Sequence, residues 1–398
     1  MTDVVETLLV VNAGSSSIKF QLFDLIEGDR LQLAFKGQLE GIGTRPHLAA
    51  KDAGGTSLID ETYPPHEVAH LDAALGRLEA WLVGRLGGVP RAIGHRVVHG
   101  GPDFAAPILV DDAVLDRLEQ LVPLAPLHQP NNLTPIRQIR ARHPEIPQVA
   151  CFDTAFHRGH PEVADRFAIA DAWYQEGVRR YGFHGLSYEY IAGRLQEIAP
   201  ELAQGRVVAC HLGSGASMCA LHAGRSMDST MGFTAVDGLP MGTRTGQLDP
   251  GVVLYLLQAK GFDAGQVERF LYHDGGLKGL SGTSNDVRDL LASDTSGAAR
   301  ALDYLVYRIA REAGALAAAM GGIDGIVFTA GIGERSPAIR RRVMERLRWL
   351  GFELDSDSNE RHGPVISTTG SRRKAYVIPT DEEQMIASHT LGLLRATC

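Results

Sequence analysis

Seven polar side chains, most of them in turns or at the ends of strand-like runs, could take part in one reaction. They are Asn12, Lys19, Arg96, Asp153, His184, Arg244 and Glu382. Two arginines, a lysine, a histidine and two acids suit phosphoryl transfer, which needs charge neutralisation and alignment more than covalent chemistry. The set therefore predicts a phosphotransferase.

Three glycine-rich turns, around Gly14, Gly213 and Gly331, each follow a strand-like run. Backbone N–H groups in such turns converge on anions, and glycine allows a phosphate to approach closely. None of the turns matches the Walker pattern G-x-x-x-x-G-K-[ST], and none matches the dinucleotide fingerprint G-x-G-x-x-G with its acid downstream. Three turns in one chain nevertheless favour phosphate binding.

Several candidate residues also have a purely structural interpretation. His184 could be a buried, hydrogen-bonded histidine, and Glu382 could cap a helix instead of binding Mg²⁺. Arg244 lies between glycines and suits an anion clamp. His95 and His99 are four residues apart, but the valines between them favour a strand, so no metal site is predicted there.

The elements that must position these residues alternate between strand-like and helix-like patterns, which indicates α/β layering. The segment Val10–Ser17 resembles Val207–Ser217 about half a chain away, so two similar halves facing each other across a cleft are expected. Residues 39–66, with their glycines and prolines, are predicted to be the loosest part. Asn131 or Asn132 is expected to cap a helix that runs to about Arg142.

Composition excludes several classes of protein. The chain has 398 residues, a net charge of −8 and four cysteines without a C-x-x-C pair, so a nucleic-acid coat, a disulfide scaffold and a zinc module are not expected. No apolar run reaches 18 residues, and the N-terminus lacks a basic region before its short apolar stretch. A cytoplasmic protein with neither membrane nor nucleic-acid partners is predicted.

The sequence resembles the acetokinase family, within the superfamily of acetate and sugar kinases, chaperone ATPases and actin. Seven segments in family order carry the resemblance over nearly the whole chain: Val11–Phe20, Gly94–Gly101, Phe152–His157, Arg180–Gly185, Met241–Gly246, Phe328–Glu334 and Pro379–Glu383. The resemblance implies an α/β fold of two duplicated actin-like, ribonuclease H-like domains with the active-site cleft between them. It implies residues 1–153 joined by a C-terminal helix, 383–398, as one domain, and 154–382 as the nucleotide-binding domain.

The implied reaction is reversible transfer of the γ-phosphoryl group of ATP to acetate, giving acetyl phosphate and ADP. The resemblance also implies Mg²⁺, with Mn²⁺ as a possible substitute, and a homodimer. On the metal side, Asn12 and Glu382 would serve Mg²⁺. At the reacting centre Asp153 would be the acidic group, and His184 and Arg244 would stabilise charge on the transferred phosphoryl.

The resemblance also assigns substrate-binding residues. Arg96 would hold the acetate carboxylate and Lys19 would approach the nucleotide phosphates. The residues expected at the acyl pocket are Val98, Leu127, His128, Phe183 and Ala235. The residues expected to bind the nucleotide are His211, Leu212, Gly213, Ser214, Gly215, Asp286, Val287, Arg288, Gly331, Ile332, Gly333, Glu334 and Arg335.

Three positions depart from the family pattern. Ser214 stands where the family has Asn, Arg335 where it has Asn, and Ala235 where it has Pro. The first two are on the nucleotide side and the third is at the acyl pocket. Rival interpretations are a propionate or butyrate kinase of the same fold, a non-catalytic nucleotide switch and a dehydrogenase; the last lacks its fingerprint.

Overall fold

The structure, a computed structural model, describes residues 6–26, 30–86 and 88–397. The strands are β1 (Thr7–Ala13), β2 (Ser17–Ile26), β3 (Arg30–Glu40), β4 (His47–Asp52), β5 (Ser57–Thr62), β6 (Ala92–Val97), β7 (Ile108–Leu109), β8 (Gln148–Phe152), β9 (Arg206–Leu212), β10 (Ala216–His222), β11 (Arg225–Ser229), β12 (Gly325–Thr329) and β13 (Lys374–Val377). Within those ranges no helix has the length and apolar content needed to cross a bilayer.

The helices complete the alternating pattern. They are α1 (Leu71–Leu86), α2 (Asp112–Gln120), α3 (Gln129–Arg142), α4 (Glu162–Asp165), α5 (Asp171–Gln175), α6 (Gly185–Ile198), α7 (Pro200–Ala203), α8 (Pro250–Ala259), α9 (Ala264–Tyr272), α10 (Gly276–Ser281), α11 (Val287–Leu291), α12 (Ser296–Ala319), α13 (Ala330–Arg335), α14 (Pro337–Arg346), α15 (Ser356–Glu360) and α16 (Glu382–Thr397).

The chain packs into two compact units. One unit runs to Ala155 and takes up the chain again from Asp381, and the other is Phe156–Thr380. The first has a sheet in the order β5-β4-β3-β2-β1-β6-β8-β7, and the second has the order β11-β10-β9-β12-β13.

Both sheets contain the same arrangement of strands. In the first unit β1 pairs antiparallel with β2 and parallel with β6, and in the second unit β9 pairs antiparallel with β10 and parallel with β12. Both central strands are apolar runs, as expected for strands covered on both faces. The predicted pair of similar α/β halves is confirmed, and each hairpin turn carries one of the predicted glycine motifs.

The first sheet is covered on one face by the last helix of the chain. A Cβ added at Gly94 of β6 would lie 2.6 Å from Ile386 Cγ2 and 2.4 Å from Thr390 Oγ1, so the glycine allows α16 to approach the strand. Leu8 and Leu391 belong to the same buried apolar cluster. The N-terminal strand and the C-terminal helix therefore share one core.

Two expectations from the sequence are wrong. Residues 39–66 are not loose, because β4 and β5 extend the antiparallel sheet beyond β3. Pairing with a neighbouring strand supplies order that the composition of an edge strand does not reveal. The helix that Asn131 or Asn132 is expected to cap begins earlier, at Gln129, so both asparagines lie inside it. The buried side chain of Asn132 hydrogen-bonds to the backbone of Val98 and Ala13.

A buried carboxylate organises the segment that leads to His184. Asp165 accepts hydrogen bonds from Arg158 Nη1 at 3.1 Å, His160 Nε2 at 2.8 Å and the Tyr174 hydroxyl at 2.9 Å. Arg158, held in this way, donates through Nη2 to the carbonyl oxygens of Arg180 and Tyr181, at 3.0 and 2.8 Å. The network thus fixes the backbone just before His184.

We expect Asp165→Asn to lower the free energy of unfolding by about 2 kcal/mol at pH 7. Burial would raise the pKa of Asp165, but the hydrogen bond from His160 and the charge of Arg158 outweigh it and lower the pKa to about 2. The stabilisation is therefore present above about pH 4 and is lost as the pH falls toward 2. Denaturant unfolding at several pH values measures the free energy of unfolding of wild type and variant. The difference between the two should become smaller as the pH falls from about 4 toward 2.

Asp171→Asn is the matched control for Asp165→Asn. Asp171 pairs with Arg166 at the surface, so we expect no measurable change in the free energy of unfolding. Equal stability of Asp165→Asn and wild type at pH 7 would contradict the role given to Asp165.

Candidate active site

The first unit gathers a largely buried ion cluster at the carboxyl ends of two parallel strands. Arg96 lies near the end of β6, and Asp153 follows β8 directly. The guanidinium binds both oxygens of Asp153, with Nε–Oδ1 at 3.0 Å and Nη2–Oδ2 at 2.6 Å. Glu382, the first residue of α16, places Oε2 3.7 Å from Arg96 Nε. Two strands and one helix therefore hold a cation against two carboxylates.

This cluster carries more negative charge than Arg96 balances. Burial raises the pKa of Glu382 to about 7, since Arg96 and Lys19 offset only part of that penalty and of the repulsion from Asp153 and Glu383. Burial also opposes the charge of Arg96, but Asp153 and Glu382 outweigh it and raise the pKa of the guanidinium. A further positive charge beside Glu382 would be stabilised.

The β1–β2 hairpin places two predicted residues opposite each other. Asn12 and Lys19 are register partners, and the turn between them is closed by a hydrogen bond from Gly14 N to Ser17 O at 2.8 Å. Asn12 is half-buried and Lys19 is exposed. The positive charge of Lys19 acts on Glu382 and opposes part of the rise in the pKa of that carboxyl group.

The residues of the first unit fit a magnesium ion. Asn12 offers an amide oxygen and Glu382 a carboxylate oxygen, which are hard ligands of the kind that Mg²⁺ takes. The surplus negative charge around Glu382 gives a second reason for a cation at this place. Within the described ranges, no group of three or more His, Cys, Asp and Glu side chains is arranged to hold a metal.

Asn132 supports this end of the first sheet, and its role could not be deduced from the sequence. Its Oδ1 accepts from Val98 N at 2.9 Å, and its Nδ2 donates to Ala13 O at 2.8 Å. The amide thus ties the chain after β6 to the end of β1. Three residues predicted at the acyl pocket also belong to this unit. Val98 is buried, and Leu127 and His128 are half-buried.

In the second unit the two remaining glycine turns meet. A Cβ added at Gly213 would lie 3.6 Å from Ala330 Cβ, and one added at Gly215 would lie 3.2 Å from His184 Nε2. Ala330 and His184 both have positive φ, at 62° and 57°. Strained residues of this kind gather at ligand-binding turns. The Nε2 atom of His184 therefore faces the turn after β9.

A cavity of about 490 Å³ opens at these turns. The predicted nucleotide residues that line it are Leu212, Gly213, Ser214, Asp286, Val287, Arg288, Gly331, Ile332 and Arg335. Apolar side chains such as Leu277, Leu305 and Ile309 supply much of its wall. A cavity that joins glycine turns to an apolar wall suits a nucleotide, with phosphates at the former and the base on the latter.

The predicted 331–335 turn forms the short helix α13 in the structure, and two charged residues hold it in place. Glu334 Oε1 accepts from Ala330 N at 2.8 Å and from Thr380 N at 3.2 Å, so this carboxylate orders the backbone. Arg340, which has no exposed surface, donates through Nη1 to the carbonyls of Gly333 and Glu334 at 2.9 and 2.8 Å. Burial lowers the pKa of Arg340 to about 10. Nothing in the sequence distinguishes Arg340 from the other arginines of α14.

The nucleotide side holds further ordered charges. Asp286 caps α11 by accepting from Arg288 N at 2.8 Å, and its carboxylate also binds the Arg288 side chain, with Nη2–Oδ2 at 2.6 Å. Arg335 is exposed beside the cavity. Its charge is therefore within the reach of a bound ligand or of solvent.

His184 and His211 form a stacked pair. Their ring centroids are 4.2 Å apart with 14° between the planes. Each Nδ1 atom meets a serine hydroxyl at 2.8 Å, Ser217 for His184 and Ser187 for His211. The orientation of both rings is therefore fixed from behind.

Arg244 lies in an irregular loop that also contains Ala235. Arg244 Nη1 donates to Ala235 O at 3.1 Å, and the loop is closed by Met241 N donating to Arg244 O at 3.0 Å. Arg244 and Ala235 are half-buried, and Phe183 is buried just before His184. The second unit therefore contains Phe183, His184, Ala235 and Arg244 as well as the nucleotide cavity.

Comparison with known proteins gives a consistent result. Residues 7–388 match the profile of the acetokinase family. The chain is 59% identical to an acetate kinase of Nitrobacter hamburgensis (98% of this chain, 96% of that protein) and 57% identical to one of Rhizobium meliloti (98% and 99%). Among solved structures, Porphyromonas gingivalis acetate kinase has a TM-score of 0.86 at 36% identity (98% and 100% covered), and a Francisella tularensis propionate kinase has 0.89 at 33% (96% and 98%).

We expect Arg340→Met to weaken ADP binding about tenfold, because the carbonyls of the 331–335 turn lose their buried donor. Titration calorimetry with ADP measures the effect. Arg341→Met is the control, since Arg341 is exposed and pairs with Glu360, and its ADP affinity should match wild type. Unchanged ADP affinity in a folded Arg340→Met protein would show that Arg340 serves only stability.

Proposed function

The chain belongs to the acetokinase family, and from that premise we propose which residues carry out its reaction. The enzyme transfers the γ-phosphoryl group of ATP reversibly to a carboxylate oxygen of acetate, giving acetyl phosphate and ADP, on a duplicated actin-like fold. The observation that carries the proposal is the bidentate Arg96–Asp153 pair beside Glu382 at the ends of β6 and β8. We propose that the two units are the two actin-like domains, whose limits lie two residues from the expected division into 1–153 with 383–398, and 154–382.

Arg96 binds the acetate carboxylate. A guanidinium has five N–H donors, and Asp153 occupies two of them in this structure, so donors remain for a second carboxylate. Val98 and Leu127 supply apolar surface for the methyl group, with His128 beside them. Asp153 keeps Arg96 oriented and is the acidic group at the reacting centre.

The transfer forms one P–O bond and breaks another. An acetate oxygen attacks the γ-phosphorus, and the bond to the β–γ bridging oxygen breaks, so ADP leaves with that electron pair. His184 and Arg244 donate hydrogen bonds to the equatorial oxygens as negative charge spreads over them. Lys19 neutralises nucleotide phosphate, and the turns 211–215 and 331–335 with residues 286–288 hold the nucleotide.

Mg²⁺, held through Asn12 and Glu382, would neutralise phosphate charge when bound. Mn²⁺ takes similar oxygen ligands and would substitute for it. We also propose that the enzyme acts in the cytoplasm, where thiols such as the buried Cys210 and Cys219 stay reduced.

We expect Arg96→Ala and Arg244→Ala to differ in their kinetics. Loss of an arginine that acts on the transferred group should lower kcat by roughly 10³-fold, so Arg244→Ala should be defective mainly in kcat. Loss of the carboxylate anchor in Arg96→Ala should also raise the KM for acetate. A hydroxylamine-trapping assay of acetyl phosphate measures both. A kcat of Arg244→Ala within about tenfold of wild type would remove Arg244 from this role.

The acyl pocket should accept propionate as a second substrate, with acetate preferred. Ala235 lacks the ring carbons of the family's proline, and one methylene is worth about 1–3 kcal/mol of discrimination. Ala235→Pro keeps the carbonyl that accepts from Arg244, so we expect a higher acetate/propionate ratio of kcat/KM. An unchanged or inverted ratio would exclude Ala235 as a specificity residue.

We propose that the enzyme is a homodimer and that α8 contributes to its interface. Leu254 and Tyr255 are each 52% exposed on this helix and Leu257 is 39% exposed, a surface that favours protein contact. Light scattering should give twice 42.9 kDa for wild type and a lower mass for Leu254→Glu/Leu257→Glu. A monomeric wild type would refute the dimer, and an unchanged mass in the variant would place the interface elsewhere.

A further inference from the structure

A chain of buried hydroxyl groups lies behind His184. The Tyr188 hydroxyl is 2.5 Å from Ser217 Oγ, which is 2.8 Å from His184 Nδ1. Tyr188 and Ser217 have no exposed surface. Tyr188 comes one turn after His184, because α6 begins directly after the histidine, and Ser217 belongs to β10. The three side chains therefore form one sequestered hydrogen-bonded relay.

The direction of the hydrogen bonds in this relay follows from what each group can donate. Ser217 Oγ is the only acceptor of the Tyr188 proton among the hydrogen bonds of the described residues. A buried hydroxyl proton without an acceptor is costly, so Tyr188 donates to Ser217. The Ser217 proton is then available to His184 Nδ1.

The opposite direction of the hydrogen bonds would leave one buried donor without an acceptor. If His184 Nδ1–H donated to Ser217 and Ser217 donated to Tyr188, the phenol oxygen would accept the Ser217 proton. Its own proton would then lie in a buried place without an acceptor. Burial raises the pKa of Tyr188 well above its usual range, so this proton is not released.

We propose that Tyr188 is a positioning residue that acts through Ser217 to keep His184 Nδ1 unprotonated, so that the neutral ring carries its proton on Nε2. This inference rests on the proposed role of His184 as a donor to the transferred phosphoryl. Nε2 is the atom that faces the turn at Gly215, and a donor is needed there when charge develops on phosphate oxygens. Neither the phenol nor the serine touches the reacting groups.

The kinetic test compares Tyr188→Phe with wild type at pH 8. Without the phenol proton, Ser217 can accept from Nδ1–H, and we expect kcat to fall about tenfold, the effect of one hydrogen bond, with the KM values for ATP and acetate within about twofold. An unchanged kcat, or a rise of both KM values in place of a fall in kcat, would overturn the proposal.

The control is Tyr376→Phe. Tyr376 is half-buried against the same core cluster as Tyr188, so the variant loses a hydroxyl elsewhere on that cluster, and its kcat should match wild type. Thermal denaturation of both variants shows whether a fall in kcat of Tyr188→Phe comes from a general loss of stability.

A spectroscopic test reads the proton directly. In protein labelled with ¹⁵N-histidine, the His184 signals, assigned with His184→Gln, should show an unprotonated Nδ1 and a protonated Nε2 at pH 8. Tyr188→Phe should shift them toward the Nδ1–H form. A wild-type Nδ1–H signal would refute the proposal even if Tyr188→Phe lost activity.

His184→Gln separates failure of this inference from failure of the proposed function. If His184→Gln keeps wild-type kcat, the catalytic role of His184 is wrong and the inference falls with it. If His184→Gln loses activity while Tyr188→Phe is unimpaired, only the inference is wrong. The double variant should be no worse than His184→Gln, because Tyr188 acts through His184.

Discussion

The ion pair between the half-buried Arg96 and the buried Asp153 is the constraint on which the first unit depends. Taking an ion fully out of water costs several kcal/mol, and Arg96, with 22% of its side chain exposed, keeps part of its hydration. The cost is recovered only while both hydrogen bonds and the attraction of Glu382 are kept. The three charged residues come from three elements: Arg96 from β6, Asp153 from the end of β8 and Glu382 from the start of α16. A shift of any of these elements would separate a charge from its counter-charge, so the ion cluster constrains how the two strands and the helix pack.

The duplicated topology supports two different surfaces. The turn after β1 leads to a region of charged side chains around Arg96, whereas the segments after β9 and β12 line a cavity. Under the proposed assignment, the charged region takes the small anionic acceptor. The cavity takes the large donor, whose phosphates suit backbone N–H groups and whose base suits an apolar wall. One strand order thus supports both surfaces.

The sequence could predict the residues that lie in local motifs but not those whose partners are remote. The glycine turns and Asp153 stand at strand ends, where the pattern and the family resemblance indicate them. Asn132 binds Ala13, 119 residues away, and the burial of Arg340 depends on how α14 packs. The sequence did not predict β4 and β5 within residues 39–66, because strands at the edge of a sheet are ordered by their neighbours more than by their own composition.

The return of α16 to the first unit ties completion of that unit to a distant part of the chain. Its sheet is translated before Phe156–Thr380, but α16 is translated after that segment. Until α16 emerges from the ribosome, Leu8 and Ala92 lack the helix that buries them, and Arg96 lacks Glu382. The unit whose synthesis begins first therefore cannot be completed until the second unit has been translated. A chain truncated before α16 would expose an apolar face on the first unit.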